Sequence, residues 1–163
     1  MRVLITGALG QLGRELLGVF SAEGHHEIIA TDIGPVVEAA PVGAVPAGVD
    51  VTAMDITDRD QTLAVVTSVR PDVVVHPAAF TAVDRCESEV DTAYAINVIG
   101  TRNIAEASRR VDGSVTYVST DYIFDGTKPD PYLEWDAPNP QSVYGRTKLG
   151  GEHELDPGST VAR

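Results

Sequence analysis

Residues 3–13 read VLITGALGQLG, a short apolar run followed by glycines at positions 7, 10 and 13. The run has the length of a buried strand, and Gln11 to Ala22 after it carries Leu12, Leu16, Leu17 and Phe20 at helical spacing. The stretch therefore reads as strand, tight turn and helix. A phosphate can approach a backbone only where side chains are missing, and a helix N-terminus behind such a turn offers free N–H groups and the positive end of the helix dipole. Gly7 opens the turn, Gly10 allows close approach, and Gly13 lets the helix lie close against the strand. A glycine triplet alone also fits an ordinary turn. Asp32 adds the second signal, because it closes the next apolar strand about 20 residues on, where a carboxylate binds ribose hydroxyls. Turn and carboxylate together point to a dinucleotide. A carboxylate there repels a 2′-phosphate, which leans toward NADH over NADPH.

The same alternation continues outward. Glu27 to Ala30 and Val49 to Met54 read as strands, Asp58 to Val69 as a helix with Leu63, Val66 and Val69 on one face, and Asp72 to Val75 (DVVV) as a central strand covered on both sides. A helix is expected over Asp91 to Val111, with Ala93, Ile96, Ile99, Ile104 and Ala107 buried, then a fifth strand at Ser114 to Ser119. This is an α/β fold with a doubly wound parallel sheet. Ile33 to Gly48, rich in Pro, Gly, Ala and Val, reads as a loop, and the proline-rich stretch Thr120 to Gln141 leaves the C-terminal edge of the fifth strand, where ligands of such sheets bind. Ser159 to Arg163 starts like a sixth strand and stops, so the fold reads as cut short.

Composition narrows the function classes. The chain has 163 residues, with 12 basic and 24 acidic side chains and a net charge of −12. One domain is expected. The acidic balance argues against a nucleic-acid partner, since phosphate-backbone affinity rests on Lys and Arg. The most apolar tract, Ile33 to Val49, is broken by Pro35, Glu38, Pro41 and Pro46, so no membrane span is expected. A lone Cys86 and the absence of a leader-like N-terminus make the cytoplasm the default compartment.

Ser142 is a plausible N-cap for a helix running through Tyr144 to about Glu154. Tyr144 and Lys148 lie four residues apart on it and so share a face. A phenol titrates near pH 10, and a neighbouring ammonium is expected to lower that value and make Tyr144 a proton donor tuned by Lys148.

With TGALGQLG (6–13), YGRTK (144–148) and a Ser/Thr at the end of the fifth strand, the sequence resembles the extended short-chain dehydrogenase/reductases, which are Rossmann-like. The stretches PAAFTAVDRCESE (77–89), STDYIFDG (119–126) and SVYGRTKLGGE (142–152) narrow the resemblance to the dTDP-4-dehydrorhamnose reductase family. The likeness runs from Val3 to Arg163 and covers that family's N-terminal, NAD(P)-binding part, so residues 1–163 are expected to be the cofactor domain without the C-terminal substrate lobe. The resemblance implies reduction of the 4-keto group of a dTDP-linked deoxysugar by NADPH or NADH. It makes Thr120, Tyr144 and Lys148 catalytic, with Thr120 and Asp121 facing the substrate and Lys148 and Tyr144 also touching the cofactor. It places Gly10, Gln11 and Leu12 at the pyrophosphate, with Gly7 and Gly13 of the same turn also cofactor-binding, Asp32 at the ribose, Asp55 and Ile56 near the adenine, and Ala79, Phe80 and Thr81 along the cofactor. Relatives often dimerise through the helices equivalent to 91–111 or the Tyr144 helix, which allows a homodimer here. His76-Pro77 departs from the family's usual Asn-Ala.

The rivals are a sugar-nucleotide epimerase or dehydratase and a non-catalytic NAD(P)-binding regulatory module. Related dehydratases carry Asp-Glu after the catalytic Ser/Thr, whereas this chain has Asp121-Tyr122; the intact Thr120, Tyr144 and Lys148 speak against the module. His25, His26, His76 and His153 show no metal-ligand spacing, and no metal is expected. Arg85 beside Cys86 would depress the thiol's pKa, but a lone cysteine reads more simply as structural. Asp84, Glu87, Glu89 and Asp91 read as a solvated acidic face near a helix N-terminus. Tyr122, Phe124, Tyr132 and Trp135 fit either a sugar-nucleotide pocket wall or an anchor for the long loop.

Overall fold

Parallel strands need crossover connections of one hand, and the helices that make them cover both faces of the sheet. The computed structural model, which describes residues 1–34 and 45–163, has this arrangement. Its strands are β1 (Arg2–Ile5), β2 (Glu27–Asp32), β3 (Val51–Ala53), β4 (Val73–His76), β5 (Ser114–Val118) and β6 (Thr160–Ala162). All pair in parallel, in the order β3-β2-β1-β4-β5-β6. The expected doubly wound α/β sheet is what forms, with its switch point between β1 and β4, where a crevice opens at the C-terminal edge. The segment begun at Ser159 does pair, as β6 on β5.

Successive residues of β1 point to opposite faces. Val3 and Ile5 pack with Leu17 of α1 (Gln11–Glu23), and Leu4 packs with Val66 of α2 (Arg59–Val69), Val74 and Ile104. Asp58 caps α2 by accepting the Gln61 N–H at 3.0 Å. β2 runs two residues past Ala30, so that Asp32 is its last residue. After β4 comes the short α3 (Val83–Ser88).

The single helix expected over Asp91 to Val111 is instead α4 (Val90–Tyr94), a π-helical stretch (Ala95–Gly100) and α5 (Thr101–Arg109). The wider π turn rotates the buried face. Ala93, Ile104 and Ala107 are buried as the ordinary period requires, but Ile96 and Ile99 are only partly buried, and Asn97, Val98 and Gly100 take the interior. Of the loop expected over Ile33 to Gly48, residues 35–44 lie outside the described residues. Among the described residues no helix is long and apolar enough to cross a membrane.

Candidate active site

The glycine turn uses its backbone as soon as β1 ends: the Thr6 N–H bonds the Val75 carbonyl at 3.1 Å and the Ala8 N–H bonds that of Thr31 at 3.0 Å. Gly7 has φ +57, and a Cβ there would sit 2.8 Å from Ala78 Cα. A Cβ on Gly13 would sit 2.2 Å from the Gly7 carbonyl oxygen. The first turn of α1 therefore rests directly on the glycine turn, as the sequence suggests. Gly10 is the N-cap of α1 and gives it no side-chain cap, so the first N–H groups get no partner from the capping residue. The Asp32 carboxylate accepts the Leu9 N–H at 2.8 Å and the Ile33 N–H at 2.7 Å, which ties the end of β2 to the turn.

A cleft of about 830 Å³ opens along these elements. The turn contributes Gly7, Gly10, Gln11, Leu12 and Gly13. The ends of β2 and β3 contribute Asp32, Asp55 and Ile56, and the segment after β4 contributes Ala79 and Thr81. Leu12, which the resemblance puts at the pyrophosphate, is 43% exposed and faces this cleft. Met54, Pro77 and Ile96 also line it; of these the sequence flags only Pro77, as part of the His76-Pro77 departure beside the cofactor path, and reads Met54 as a strand end and Ile96 as a buried helix residue. Phe80 does not line the cleft. Its N–H and carbonyl are held by Asn97 at 2.8 and 3.2 Å, and its ring lies beneath the Arg85 guanidinium.

The second group of residues gathers beyond β5. The Thr120 hydroxyl accepts the Tyr122 N–H at 3.2 Å and donates to Asp121 at 3.3 Å, in a 3₁₀ turn over Asp121–Ile123. α6 (Val143–Glu152) opens at Ser142, whose hydroxyl accepts the Gly145 N–H at 3.0 Å. Glu87 accepts the Val143 N–H at 2.7 Å. The acidic run is thus not wholly a solvated face, since Glu87 satisfies a helix-terminal donor and fixes where α6 begins. Tyr144 is buried with Cys86 and Ala93 and stands edge-on to Tyr122 at 5.6 Å. Cys86 is correspondingly buried and its thiol is pushed up, first by burial and then by Glu87. Arg85 pairs with Glu89 at 2.7 Å, so the expected depression does not occur.

Lys148 is 1% exposed. Its Nζ donates to the Val118 carbonyl at 2.7 Å and lies 4.1 Å from the centre of the Tyr117 ring. Burial lowers its pKa to about 7, with Glu152 acting against that. The Tyr144 phenol is raised by burial, and the Thr120 hydroxyl beside it works in the opposite direction. The expectation that Lys148 lowers the Tyr144 pKa is therefore not met. The two side chains leave one helix face, but the ammonium is turned onto the end of β5 and both groups are desolvated. Thr120, Asp121, Tyr144 and Lys148 do not line the cleft, but Val118, which anchors Lys148, does.

The loop aromatics divide. Phe124 stacks on Tyr132 at 4.2 Å and the Tyr132 hydroxyl donates to Asp125 at 2.7 Å, which pins the loop, whereas Trp135 is 78% exposed.

His76 is fully buried between the two regions. Its Nδ1 lies 2.6 Å from the Thr6 hydroxyl and its Nε2 lies 3.3 Å from that of Thr101. Thr101 gives its own proton to the Asn97 carbonyl at 2.8 Å, so its oxygen accepts and the network assigns the ring proton to Nε2. Burial and then Lys148 push the His76 pKa down to about 3. The unfolded chain takes up a proton below about pH 6.5 that the folded chain refuses until about pH 3, so stability falls as pH falls through that window. This residue alone should cost about 2 kcal/mol between pH 7.5 and pH 5. Urea unfolding of the parent chain and of His76→Asn at both pH values checks this: the variant should lack that part of the loss. An equal fall in both would assign it to other groups.

Comparisons with known proteins bear on the family and the fold. The family profile described as RmlD substrate binding domain matches residues 1–161. The chain belongs to the RmlD family. The dTDP-4-dehydrorhamnose reductase of Aggregatibacter actinomycetemcomitans is 38% identical over 165 aligned positions, which span 99% of this chain and 50% of that protein. The crystal structure of dTDP-4-dehydrorhamnose reductase from Bacillus anthracis in complex with NADP superposes with a TM-score of 0.81 at 36% identity, covering 98% of this chain and 51% of that one. The UDP-glucose 4-epimerase of Thermus thermophilus in complex with NAD gives 0.83 at 26% identity, over 94% and 49%. This RmlD-family chain thus spans about half the length of the relatives it matches. The fold is common to reductases and epimerases, and the reaction has to be argued from the site.

Proposed function

We propose that residues 1–163 form the nicotinamide-dinucleotide-binding unit of a reductase acting on the 4-keto group of a dTDP-linked deoxysugar. One observation carries this reading. The Thr120 hydroxyl lies beside the Tyr144 phenol, Lys148 is held by the Val118 carbonyl at the end of β5, and Val118 also lines the cleft that runs from the glycine turn to Asp32. The cradle fits the cofactor: a Cβ at Gly7 or Gly13 would strike backbone, and the cleft carries a carboxylate at the end of β2.

A bound NADH or NADPH would supply the hydride. Tyr144, kept protonated by its burial, gives its hydroxyl proton to the sugar oxygen as negative charge develops there. Thr120 orients the carbonyl by a hydrogen bond from its hydroxyl, and Asp121 faces the sugar beside it. Lys148, braced on Val118, holds the nicotinamide ribose. Asp32 favours NADH, because a 2′-phosphate would meet its carboxylate; the crystal structure of the Bacillus anthracis relative is a complex with NADP. The epimerase or dehydratase reading is weaker, because the residue after Asp121 is Tyr122, which cannot serve as the carboxylate base of an elimination. The regulatory-module reading has to explain why the proton donor and its lysine are both in place.

Calorimetric titration of the 163-residue chain with NADH and NADPH, followed by a dTDP-4-dehydro-6-deoxysugar, tests the proposal. Dinucleotide binding is expected, tighter for NADH, and with the sugar the reduced dinucleotide is consumed in proportion to the sugar reduced. Binding with sugar conversion but no net consumption would favour the epimerase. Binding with no conversion would leave a cofactor domain without the substrate lobe of its relatives, as the module reading also requires, and no binding would end the dinucleotide assignment.

A further inference from the structure

Neighbouring histidines in a loop are not spaced as metal ligands, and the sequence gives His25 and His26 no role. The structure changes that. Gly24 ends α1 at φ +68, in the left-handed conformation, and turns the chain back on the last helical residue. Glu23, His25 and His26 then each present a donor atom, all within 4.8 Å of one another, and no other such trio occurs among the described residues. We infer that Glu23, His25 and His26 form a binding site for a zinc-class divalent cation, at the end of α1 remote from the cleft.

The geometry of the donors supports this. His26 Nε2 lies 3.0 Å and His25 Nε2 3.8 Å from the same Glu23 oxygen. A tetrahedral ion with bonds of about 2.0–2.1 Å holds its ligand atoms about 3.3 Å apart, so the two separations bracket what is required. His25 Nδ1 lies 3.0 Å from the Glu23 backbone oxygen. A ring nitrogen facing a carbonyl carries the proton, which leaves the Nε2 lone pair directed at the carboxylate; imidazole ligands are oriented this way at metal centres. The His26 side chain is only 6% exposed and stands edge-on to Phe20, with ring centroids 5.4 Å apart, so its position is fixed by packing before any ion arrives.

The electrostatics agree. α1 carries no basic residue in its last turn, so the negative end of its dipole and the Glu23 carboxylate lack a permanent cation, in a chain of net charge −12. Two imidazoles and one carboxylate suit zinc, whereas magnesium and calcium take oxygen ligands. The three residues leave a coordination position for water. A bound ion would join the end of α1 to the start of β2, the elements whose other ends carry the glycine turn and Asp32, and would stabilise the folded chain by mass action. The competing reading is a simple Glu23–His26 ion pair.

The test uses the tag-free, chelator-treated chain at about pH 7.5, titrated calorimetrically with zinc chloride and heated with and without zinc. One zinc per chain with micromolar affinity and a raised Tm is expected, with no response to magnesium. His25→Ala removes a side chain that is 67% exposed and should leave the fold intact. It and Glu23→Gln should each weaken zinc binding at least about tenfold, and His153→Ala should not. Absence of zinc binding, equal binding of magnesium, or unchanged affinity in both His25→Ala and Glu23→Gln would overturn the site and leave the ion pair alone.

Discussion

Tyr144→Phe is expected to lower the rate at which a dTDP-4-dehydro-6-deoxysugar oxidises the reduced dinucleotide by a factor of about 10²–10⁴, the usual contribution of a placed proton donor. Dinucleotide affinity should hold. The substitution keeps the ring, and the ring carries the packing on Cys86, Ala93 and Tyr122, so α6 keeps its place and the loss is confined to the hydroxyl. The direction of the Tyr144 shift matters for the pH profile. Burial holds the phenol above its ordinary value, which keeps it in the acid form that reduction needs across the neutral range, and an alkoxide is basic enough to take that proton. The limb of the rate profile assigned to Tyr144 should therefore appear only at alkaline pH. Steady-state rates and calorimetric affinities of parent and variant settle the role. Full turnover in Tyr144→Phe would remove it as the donor, and a matching loss of dinucleotide affinity would assign the effect to the cofactor contact that the resemblance gives this residue.

The fold was legible because its elements obey local rules. Glycines at the exit of an apolar run, a β-branched DVVV segment and Ser142 before the Tyr144 helix each predict what forms at that place, and β6 could be anticipated from five residues. The turn, Asp32, Asp55 and Ala79 meet in one cleft because all lie at the C-terminal ends of adjacent strands. What sequence spacing could not give was the state of side chains in a buried setting. Four residues of helix put Tyr144 and Lys148 on one face, but only the end of β5 explains why Nζ chooses the Val118 carbonyl. Asn97 is another such case. A polar residue amid apolar ones in a helix looks like an interruption, and its bonds to Phe80 and Thr147 exist because the π-helical stretch turns it inward. Glu87 looked like one more surface acid because its partner, the Val143 N–H, lies 56 residues on.

The tightness of the phosphate cradle can be tested against a control on the same helix. In Gly13→Ala the added Cβ would lie 2.2 Å from the Gly7 carbonyl oxygen and 2.7 and 2.8 Å from Ala8 backbone atoms. None of these is the tip of a flexible side chain, and the turn cannot retreat, since Gly7 is itself hemmed in by Ala78. The first turn of α1 must then lift off the glycine turn. Alanine gains about 1 kcal/mol over glycine as a helix former, but overpacking of this kind costs about 1–3 kcal/mol or more, so a net destabilisation is expected. The displaced N–H groups are those that would meet a pyrophosphate, so dinucleotide affinity should fall at least about tenfold, or about 1.4 kcal/mol. Gly18→Ala supplies the contrast. A Cβ at that position of α1 meets nothing within 4 Å, so only the helix propensity remains, and a gain of up to about 1 kcal/mol with unchanged dinucleotide binding is expected. Thermal unfolding and calorimetry on the two variants read out both effects. If Gly13→Ala binds dinucleotide as the parent does, the turn is an ordinary strand-to-helix connection and the phosphate site lies elsewhere.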